Sequence, residues 1–350
     1  MNATSQNPHT SHSWIGSLLY ERGLFQLMCK FVLAGALGFT SLAGLSQPAP
    51  DSTGGAKTFT FVAMGDLPYG NPARTYGPYR ALIDQINQRQ PVFSIHIGDF
   101  KSGSTLCSDE EFTAQRDHFN RFTQALVYTP GDNEWTDCHR KNNGSYDPLE
   151  RLDTLRRMFY TPGRSLGQQA LAVQSQAALQ PQQALYVENL RWTHQEVLFV
   201  TLHIVGSNNN FEVRDPRMVA EFFARDAANV AWIQSAFELA RAQQLRAVVL
   251  AFQADPFEGK SLWEDFPSSS GFRNSIGQAL VPLAQSFGKP VLVVHGDSHL
   301  TKIDHPFKVE RKVVGNITRL IVPGDADMRA VQVQVNPMAS QPFGFEFISP

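Results

Sequence analysis

Four of the five aspartates that directly follow a glycine stand at the end of a segment that is predicted to be a buried strand of the central sheets. The pairs are Gly65-Asp66, Gly98-Asp99, Gly131-Asp132 and Gly296-Asp297. A glycine at such a position is expected to let the chain turn sharply. Ligands of open α/β sheets collect outside the carboxyl ends of the strands, so we expect the four carboxylates to converge in one crevice. His299, two residues after Asp297, is predicted to face the same centre.

Four carboxylates in one crevice repel one another strongly. Two unit charges about 4 Å apart interact by about 4 kcal/mol at an effective dielectric constant of 20. Either some carboxyl groups take up protons, or a cation lies among them. A divalent metal ion relieves the repulsion for all four together. Oxygen ligands with one imidazole suit Mg²⁺, Mn²⁺ or Ca²⁺ better than an ion that prefers thiolates.

The elements that must position these residues alternate along the chain. KTFTFVAMG, PVFSIHIG, ALVYTPG, RAVVLAF and KPVLVVHG are predicted strands, and RAVVLAF ends in Gln253 instead of an aspartate. Helices are predicted to begin at Ser108, with Glu111 completing a capping box, and at Asp147-Pro148. ALYVENLRW and EVLFVTLHIVG follow each other without a helix, which predicts an antiparallel hairpin. Gly324-Asp325, between two strand patterns, is predicted to be a hairpin turn. The pattern indicates one α/β domain over residues 57–350, with two sheets.

Composition and charge exclude several classes of protein. The 350 residues are 42% hydrophobic and 18% charged, which is typical of a globular protein and not of a disordered chain. Lys and Arg number 30 against 32 Asp and Glu, so the sequence offers no basic surface for nucleic acid or anionic lipid. After the N-terminal region, no apolar run reaches the roughly 18–20 residues that span a bilayer.

The N-terminal region has the pattern of an export signal. Lys30 precedes the uncharged apolar run Phe31–Leu45, and small residues follow it. This pattern predicts a signal peptide over residues 28–46, a short linker over 47–56 and a periplasmic or secreted protein. An uncleaved N-terminal anchor is the alternative. Met28 just before the basic start indicates translation from that residue, which would make residues 1–27 an upstream annotation artefact.

Cleavage near Ser46 would leave two cysteines, Cys107 and Cys138. In an exported chain, two cysteines favour one disulfide, and two unpaired thiols in surface loops are the alternative. Cys107 lies eight residues after Asp99 and Cys138 six after Asp132, so a bond would join the two loops that present these aspartates.

The ordered motifs GDLPY, GDF, GDNEW, FQAD and GDSH resemble those of the calcineurin-like metallophosphoesterases, which include the purple acid phosphatases. The resemblance covers roughly residues 59–305. It implies a four-layer α-β-β-α sandwich of two mixed sheets, with one or two divalent ions held between them. It also implies attack of a metal-bound hydroxide on a small phosphate mono- or diester. Asp66, Asp99 and His299 match ligands of the family, and Asp99 matches the bridging aspartate.

Several positions depart from the family pattern. Pro68 and Gln253 stand where the family has ligand histidines, and Asp132 and Asp297 replace an asparagine and a histidine. Asp132, Gln253 and Asp297 are all oxygen donors, so the resemblance keeps them in the predicted ligand set. That set does not distinguish Mn, Mg, Ca, Fe and Zn. Asn133 replaces the histidine that supports the leaving group, and loss of general-acid help typically costs about 10²–10⁴-fold in rate.

Two nearby histidines are candidates to replace the lost proton donor. His139 lies six residues after Asn133, and His295 ends the strand that leads to Asp297. His96 and His203 fall within apolar strands, where a histidine is more often a paired core residue than a ligand. His203 is the better functional candidate of these two because the polar run SNNN, residues 207–210, follows it. Tyr69 receives little weight as a ligand.

Three functions compete at this stage. The first is an exported metal-dependent phosphoesterase. The second is a catalytically impaired relative that binds a metal or a phosphorylated ligand without hydrolysing it, which the substitutions at Asn133 and Pro68 motivate. The third is an exported solute-binding protein whose aspartates contact a sugar. Chelator-sensitive turnover of aryl phosphates separates the first from the second, and a protein without metal would favour the third.

Overall fold

A computed structural model describes residues 55–258 and 270–350. The predictions made for residues 1–27 and 28–46, and for most of the linker 47–56, lie outside the described residues. Among the described residues, no helix combines the length and apolar character needed to cross a membrane.

One sheet has five strands and carries three of the four Gly-Asp pairs. In spatial order its strands are β14 (Phe343–Ile348), β13 (Ala330–Val335), β1 (Phe59–Met64), β2 (Phe93–His96) and β3 (Ala125–Tyr128). β1, β2 and β3 run parallel, whereas β13 is antiparallel to β1 and to β14. The carboxyl ends of β1, β2 and β3 therefore meet at one edge of the sheet.

The second sheet has seven strands and carries the fourth pair. In spatial order these are β4 (Gln174–Ser175), β5 (Leu190–His194), β6 (Val197–Thr201), β7 (Ala247–Ala251), β8 (Val291–His295), β12 (Ile317–Ile321) and β9 (Lys302–Asp304). β5 and β6 form the predicted antiparallel hairpin, and β6, β7, β8 and β12 run parallel. Two short strands, β10 (Lys308–Val309) and β11 (Lys312–Val313), pair separately.

Helices cover the outer face of each sheet. α1 (Pro72–Arg89), α2 (Asp109–Phe119) and α3 (Pro148–Phe159) share a hydrophobic core with the five-stranded sheet. α6 (Pro216–Ala242) and α7 (Val281–Phe287) share another with the seven-stranded sheet. A π-helix, Arg273–Leu280, leads into α7, and α4 (Gln176–Leu179) and α5 (Gly206–Asn209) are single turns.

The predicted caps are confirmed: the Ser108 hydroxyl accepts from the Glu111 amide, and the Asp147 carboxylate from the Leu149 amide.

A third hydrophobic core joins the inner faces of the two sheets. Phe61 and Ile95 of the first sheet pack in it with Phe199 and Val249 of the second, and the rings of Phe61 and Phe199 meet edge to face at 5.3 Å. Strands covered on both faces need apolar side chains in both directions, which explains their continuous hydrophobic sequences. The predicted α-β-β-α sandwich of two mixed sheets is confirmed.

The expected hairpin turn at Gly324-Asp325 is wrong. The strands before and after it, β12 and β13, belong to different sheets, so this segment crosses from one sheet to the other. The Asp325 amide donates to the carbonyl oxygen of Asp66 at 3.0 Å. The crossing therefore packs against one of the predicted ligands.

Cys107 and Cys138 form the predicted disulfide, with their Cα atoms 5.7 Å apart. Both residues are fully buried. Their sulfur atoms lie 3.6 and 3.8 Å from the carbonyl oxygen of Asn133. The bond thus supports the backbone of the loop that presents Asp132.

Replacement of both cysteines by alanine is expected to lower the free energy of unfolding by about 3–4 kcal/mol, because the unfolded chain regains the entropy of a 31-residue loop. Urea unfolding of the mature chain measures the change, and reduction of the wild-type chain should reproduce it. A loss below about 1 kcal/mol would contradict this expectation.

Candidate metal centre

The carboxyl ends of strands from both sheets meet at one place, as the sequence predicts. Asp99 follows β2, Asp132 follows β3, and Asp297 follows β8 in the other sheet. One carboxylate oxygen from each of these three aspartates lies within 4.8 Å of the others. Asp66 joins them because both of its oxygens accept the Asp297 amide, at 3.3 and 3.2 Å.

The sharp turns fall on aspartates more than on glycines. Asp66, Asp99 and Asp297 have φ angles of 51°, 54° and 71°, in the left-handed region. Among the four glycines that precede the aspartates, only Gly98 has a positive φ, of 105°. Aspartate tolerates this region better than most residues, and such backbone strain clusters at functional sites. The expected reason for the glycines, a sharp turn, is therefore correct at one position only.

Other glycines at the centre are needed because a side chain there would collide with a carboxylate. A Cβ atom on Gly131 would lie 2.0 Å from Asp99 Oδ1, and one on Gly296 would lie 2.0 Å from Asp66 Oδ2. A Cβ atom on Gly206 would lie 2.8 Å from Asp297 Oδ1 and 2.9 Å from Asp132 Oδ2. The carboxylates can approach one another because the backbone around them carries no side chain at these points.

Asp99 is the most heavily bonded of the four aspartates. Its Oδ2 accepts the Tyr69 hydroxyl at 2.7 Å, the Asn133 side-chain amide at 2.7 Å and the Gln253 amide at 3.1 Å. Its Oδ1 accepts the Asn133 backbone amide at 3.1 Å. Four donors fix the orientation of this carboxylate before any ligand arrives.

Tyr69 and Gln253 differ from what the sequence predicted. Tyr69, which received little weight, is bonded to Asp99 and also accepts the Asn133 side-chain amide at 2.6 Å. Gln253 Oε1 accepts the Gly206 amide at 2.6 Å, so its nitrogen faces Asp99 and Asp132 as a donor. In this orientation the Gln253 nitrogen bridges Asp99 and Asp132 by hydrogen bonds. To act as the predicted metal ligand, the side-chain amide would have to be rotated so that its oxygen faces the centre.

Asp132 and Asp297, the other two central carboxylates, also accept hydrogen bonds from the protein, and His299 borders the group. Asp132 Oδ2 accepts the Ser207 hydroxyl at 2.9 Å, and Asp297 Oδ2 accepts the Asp255 amide at 3.1 Å. His299 Nε2 lies 3.8 Å from Asp66 Oδ1, and its ring meets the Tyr69 ring at 5.2 Å. All six predicted metal ligands are thus brought together.

The charges at this centre are poorly compensated by the protein. Burial and the neighbouring carboxylates raise the pKa values of Asp66, Asp99 and Asp297 well above their ordinary range. Burial also raises the pKa of Glu134, whose Oε1 accepts the backbone amides of Asp99 and Gly131. Lys101 is a buried cation nearby, and burial lowers its pKa. Hydrogen bonds orient these groups, but the repulsion between them must be relieved by protons or by a cation.

The donor set fits a divalent cation. An ion that holds oxygens at about 2.0–2.6 Å keeps any two of them within about 4–5 Å of each other. The oxygens of Asp99, Asp132 and Asp297 meet that limit. Oxygen ligands from three carboxylates, with Asp66 and His299 adjacent, therefore match the chemistry of the predicted ion.

A buried arginine holds the loop that carries Ser207. Arg225 of α6 is fully buried and donates to the carbonyl oxygens of His203 and Asn209, at 2.8 and 3.0 Å, and to the Glu221 carboxylate. Its guanidinium also lies over the Trp135 ring, 5.4 Å from the centroid. Arg225 thereby links the loop of Ser207 to the loop of Asp132.

The loop that carries Ser207 is strained, so the hydrogen bonds from Arg225 are needed to hold it. All four of its residues 207–210 have positive φ angles, between 52° and 59°. Sequence reasoning singled out SNNN but missed Arg225. The arginine lies in a helix whose pattern gives no sign that this side chain is buried.

The histidines are distributed differently from the aspartates. His203 is buried, and its Nδ1 lies 2.8 Å from Glu188 Oε1, so it is a paired core residue and the loop after it reaches the centre instead. Burial lowers the pKa of His295 to about 4, and its ring stacks on Phe252. His139 is exposed on the wall of a cleft that Ser207 also lines, with Nδ1 2.7 Å from the Thr136 carbonyl oxygen.

Known structures with a similar fold include phosphatases. A dimetal phosphatase from Danio rerio matches with a TM-score of 0.49 and 11% identity, covering 83% of this chain and 98% of that one. The protein TT1561 of Thermus thermophilus matches with 0.43 and 11%, covering 84% and 99%. Purple acid phosphatase PPD1 from yellow lupin (Lupinus luteus) seeds matches with 0.44 and 13%, covering 84% and 54%. No family model and no curated protein sequence matches the chain.

Removal of one negative charge is expected to stabilise the metal-free protein. Asp297→Asn should raise the thermal midpoint in chelator at pH 7.5 by about 2–4 °C. The raised pKa values mean that protons already relieve part of the repulsion, so removal of this carboxyl group gains roughly 1 kcal/mol and not the full pair energy. The same substitution should also reduce the increase in thermal midpoint that added Mn²⁺ causes. Differential scanning calorimetry measures both, with Asp117→Asn on the exposed face of α2 as the control. A lower midpoint for Asp297→Asn in chelator would contradict the repulsion.

Loss of the Arg225 guanidinium is expected to lower the free energy of unfolding by about 3 kcal/mol, because the Glu221 carboxylate, which is 13% exposed, would lose its ion-pair partner and keep the Asn210 amide. Arg225→Met should also weaken Mn²⁺ binding, and Arg225→Lys should fall between it and the wild type. Urea unfolding and calorimetric titration measure the two effects. Arg241→Met, on the exposed side of α6, is the matched control, and equal losses in the two methionine variants would count against the role.

Proposed function

We propose that this chain is an exported, metal-dependent phosphoesterase that hydrolyses phosphate mono- or diesters. The observation that carries the proposal is the convergence of Asp99, Asp132 and Asp297 from three strands of two sheets, with oxygens within 4.8 Å. A cation makes such a cluster of buried charge tolerable, and a metal ion in an accessible site can activate water and neutralise a phosphate ester during its hydrolysis.

In this proposal Asp99, Asp132 and Asp297, with Asp66 and His299 beside them, hold one or two divalent ions. When bound, the ions neutralise the phosphate and supply activated water for in-line attack. The protein supplies orientation: Tyr69, Asn133 and Gln253 fix Asp99, and Ser207 fixes Asp132. A centre that is already oriented needs little rearrangement when the charge develops.

His139 is the better candidate to protonate the leaving group. It lies on the wall of an open cleft next to the centre, and its Nδ1 contact with the Thr136 carbonyl oxygen orients the ring. His295 is buried, and its lowered pKa keeps it neutral near pH 7. Asn133 donates hydrogen bonds at the centre and cannot donate a proton.

Export is part of the proposal. The basic residue Lys30, the apolar run Phe31–Leu45 and the small residues after it support removal of a signal peptide. The disulfide between Cys107 and Cys138 supports an oxidising destination, periplasmic or extracellular, because such bonds persist there.

A catalytically impaired relative is the second candidate. The Asn133 side-chain amide is engaged by Asp99 Oδ2 at 2.7 Å and by the Tyr69 hydroxyl at 2.6 Å. An amide held by two partners in the protein is poorly free to contact a substrate. This observation favours a chain that binds a metal or a phosphorylated ligand without turnover.

Asp99→Asn is expected to lower divalent metal content and to reduce turnover of an aryl phosphate by more than 100-fold, because one ligand oxygen is lost. Elemental analysis and hydrolysis assays, with and without chelator and added Mn²⁺, measure both on the mature chain. Asp117→Asn is the control for a neutral change on the surface. Unchanged metal content and activity in Asp99→Asn would refute the role of Asp99, and metal without turnover on mono- and diesters would favour the second candidate.

A further inference from the structure

A cleft of about 770 Å³ opens beside the carboxylate centre. Ser207, whose hydroxyl bonds Asp132, lies on its wall, so the cleft and the centre share a boundary. Clefts of roughly 300–1,000 Å³ hold organic ligands of drug size. The cleft is therefore far larger than a phosphate group requires.

The charges on the cleft wall are balanced. Arg140 pairs with Asp137 at 2.5 Å, Arg214 with Glu212 at 2.5 Å and Arg217 with Asp147 at 2.7 Å. Asp215 adds a fourth carboxylate, 3.7 Å from Arg217. Three guanidinium groups against four carboxylates leave no surplus of positive charge for a second anionic group.

Two aromatic rings on the wall each pack against a buried side chain. The Arg151 guanidinium lies 4.8 Å from the centroid of the Tyr146 ring, and the Phe222 ring lies 4.6 Å from that of Phe211. Tyr146 and Phe211 line the cleft and are partly exposed. Fixed aromatic walls bind apolar or aromatic groups at little cost in conformational entropy.

We propose that this cleft binds the organic group of the ester, and that the preferred substrate is the phosphate ester of a bulky, uncharged aromatic alcohol. Pyrophosphate and other polyanions are disfavoured, because the cleft offers them no uncompensated cation. This inference rests on the proposed function, since it assigns the phosphate to the centre and the alcohol to the cleft.

Equilibrium binding of non-hydrolysable phosphonates tests the inference without turnover. With Mn²⁺ present, the mature chain is expected to bind phenylphosphonate about tenfold more tightly than methylphosphonate, and methylene diphosphonate more weakly than phenylphosphonate. Phe211→Ala and Tyr146→Ala should each reduce the preference for the phenyl group to below threefold. Phe347→Ala, on β14 and outside the cleft, is the matched control and should keep it. Phe211→Leu and thermal melting check that the fold survives.

A preference below threefold in the wild type, tightest binding of the diphosphonate, or no binding of either monophosphonate overturns the inference. A preference that survives in both Phe211→Ala and Tyr146→Ala overturns it as well. Hydrolysis of phenyl and methyl phosphate is measured in parallel. A preference for phenylphosphonate without hydrolysis of either phosphate would contradict the proposed function but not this inference. Hydrolysis without that preference would contradict this inference but not the proposed function.

Discussion

Repulsion between buried carboxylates is the constraint on which this molecule depends. Asp66, Asp99 and Asp132 are at most 6% exposed, and Asp297 adjoins them. The protein surrounds these groups with amides and hydroxyl groups, from Tyr69, Asn133, Gln253 and Ser207. Such donors lower the energy of each carboxylate but do not remove the repulsion between them. Compensation must come from protons or from a cation, and a cation acts on all four at once.

Close approach of the four carboxylates also requires a particular backbone. Gly131, Gly206 and Gly296 lie where any Cβ atom would collide with a carboxylate. Arg225, in turn, fastens the strained loop that carries Gly206. The centre thus depends on small backbone surfaces next to the carboxylates and on a buried arginine that holds the Ser207 loop. Strain and charge are both concentrated within a few residues of the strand ends.

Much of the fold was predictable because strands buried on both faces have continuous apolar sequences and helices begin with recognisable caps. The convergence of the aspartates was predictable because parallel strands bring their carboxyl ends to one edge. Gly324-Asp325 was misassigned because two neighbouring strand patterns look alike whether they pair or enter different sheets. Tyr69 was undervalued because its contact with Asp99 depends on the path of the loop after β1. Arg225 was missed because burial of a charged side chain depends on a loop 16 residues away in sequence.

The amides at Asn133 and Gln253 change what the centre can do. A histidine at position 133 could titrate near neutral pH and give a proton to the leaving group, whereas an amide cannot. The amides do not titrate, so the hydrogen-bond donors that Asn133 and Gln253 offer to Asp99 are the same in acidic and neutral media. The cost is that the centre contains no proton donor of its own at Asn133. In the proposed function, proton transfer therefore moves outward to His139 on the cleft wall, where the leaving alcohol would lie. The centre would then bind and activate the phosphate group, and the cleft would determine which alcohol is released.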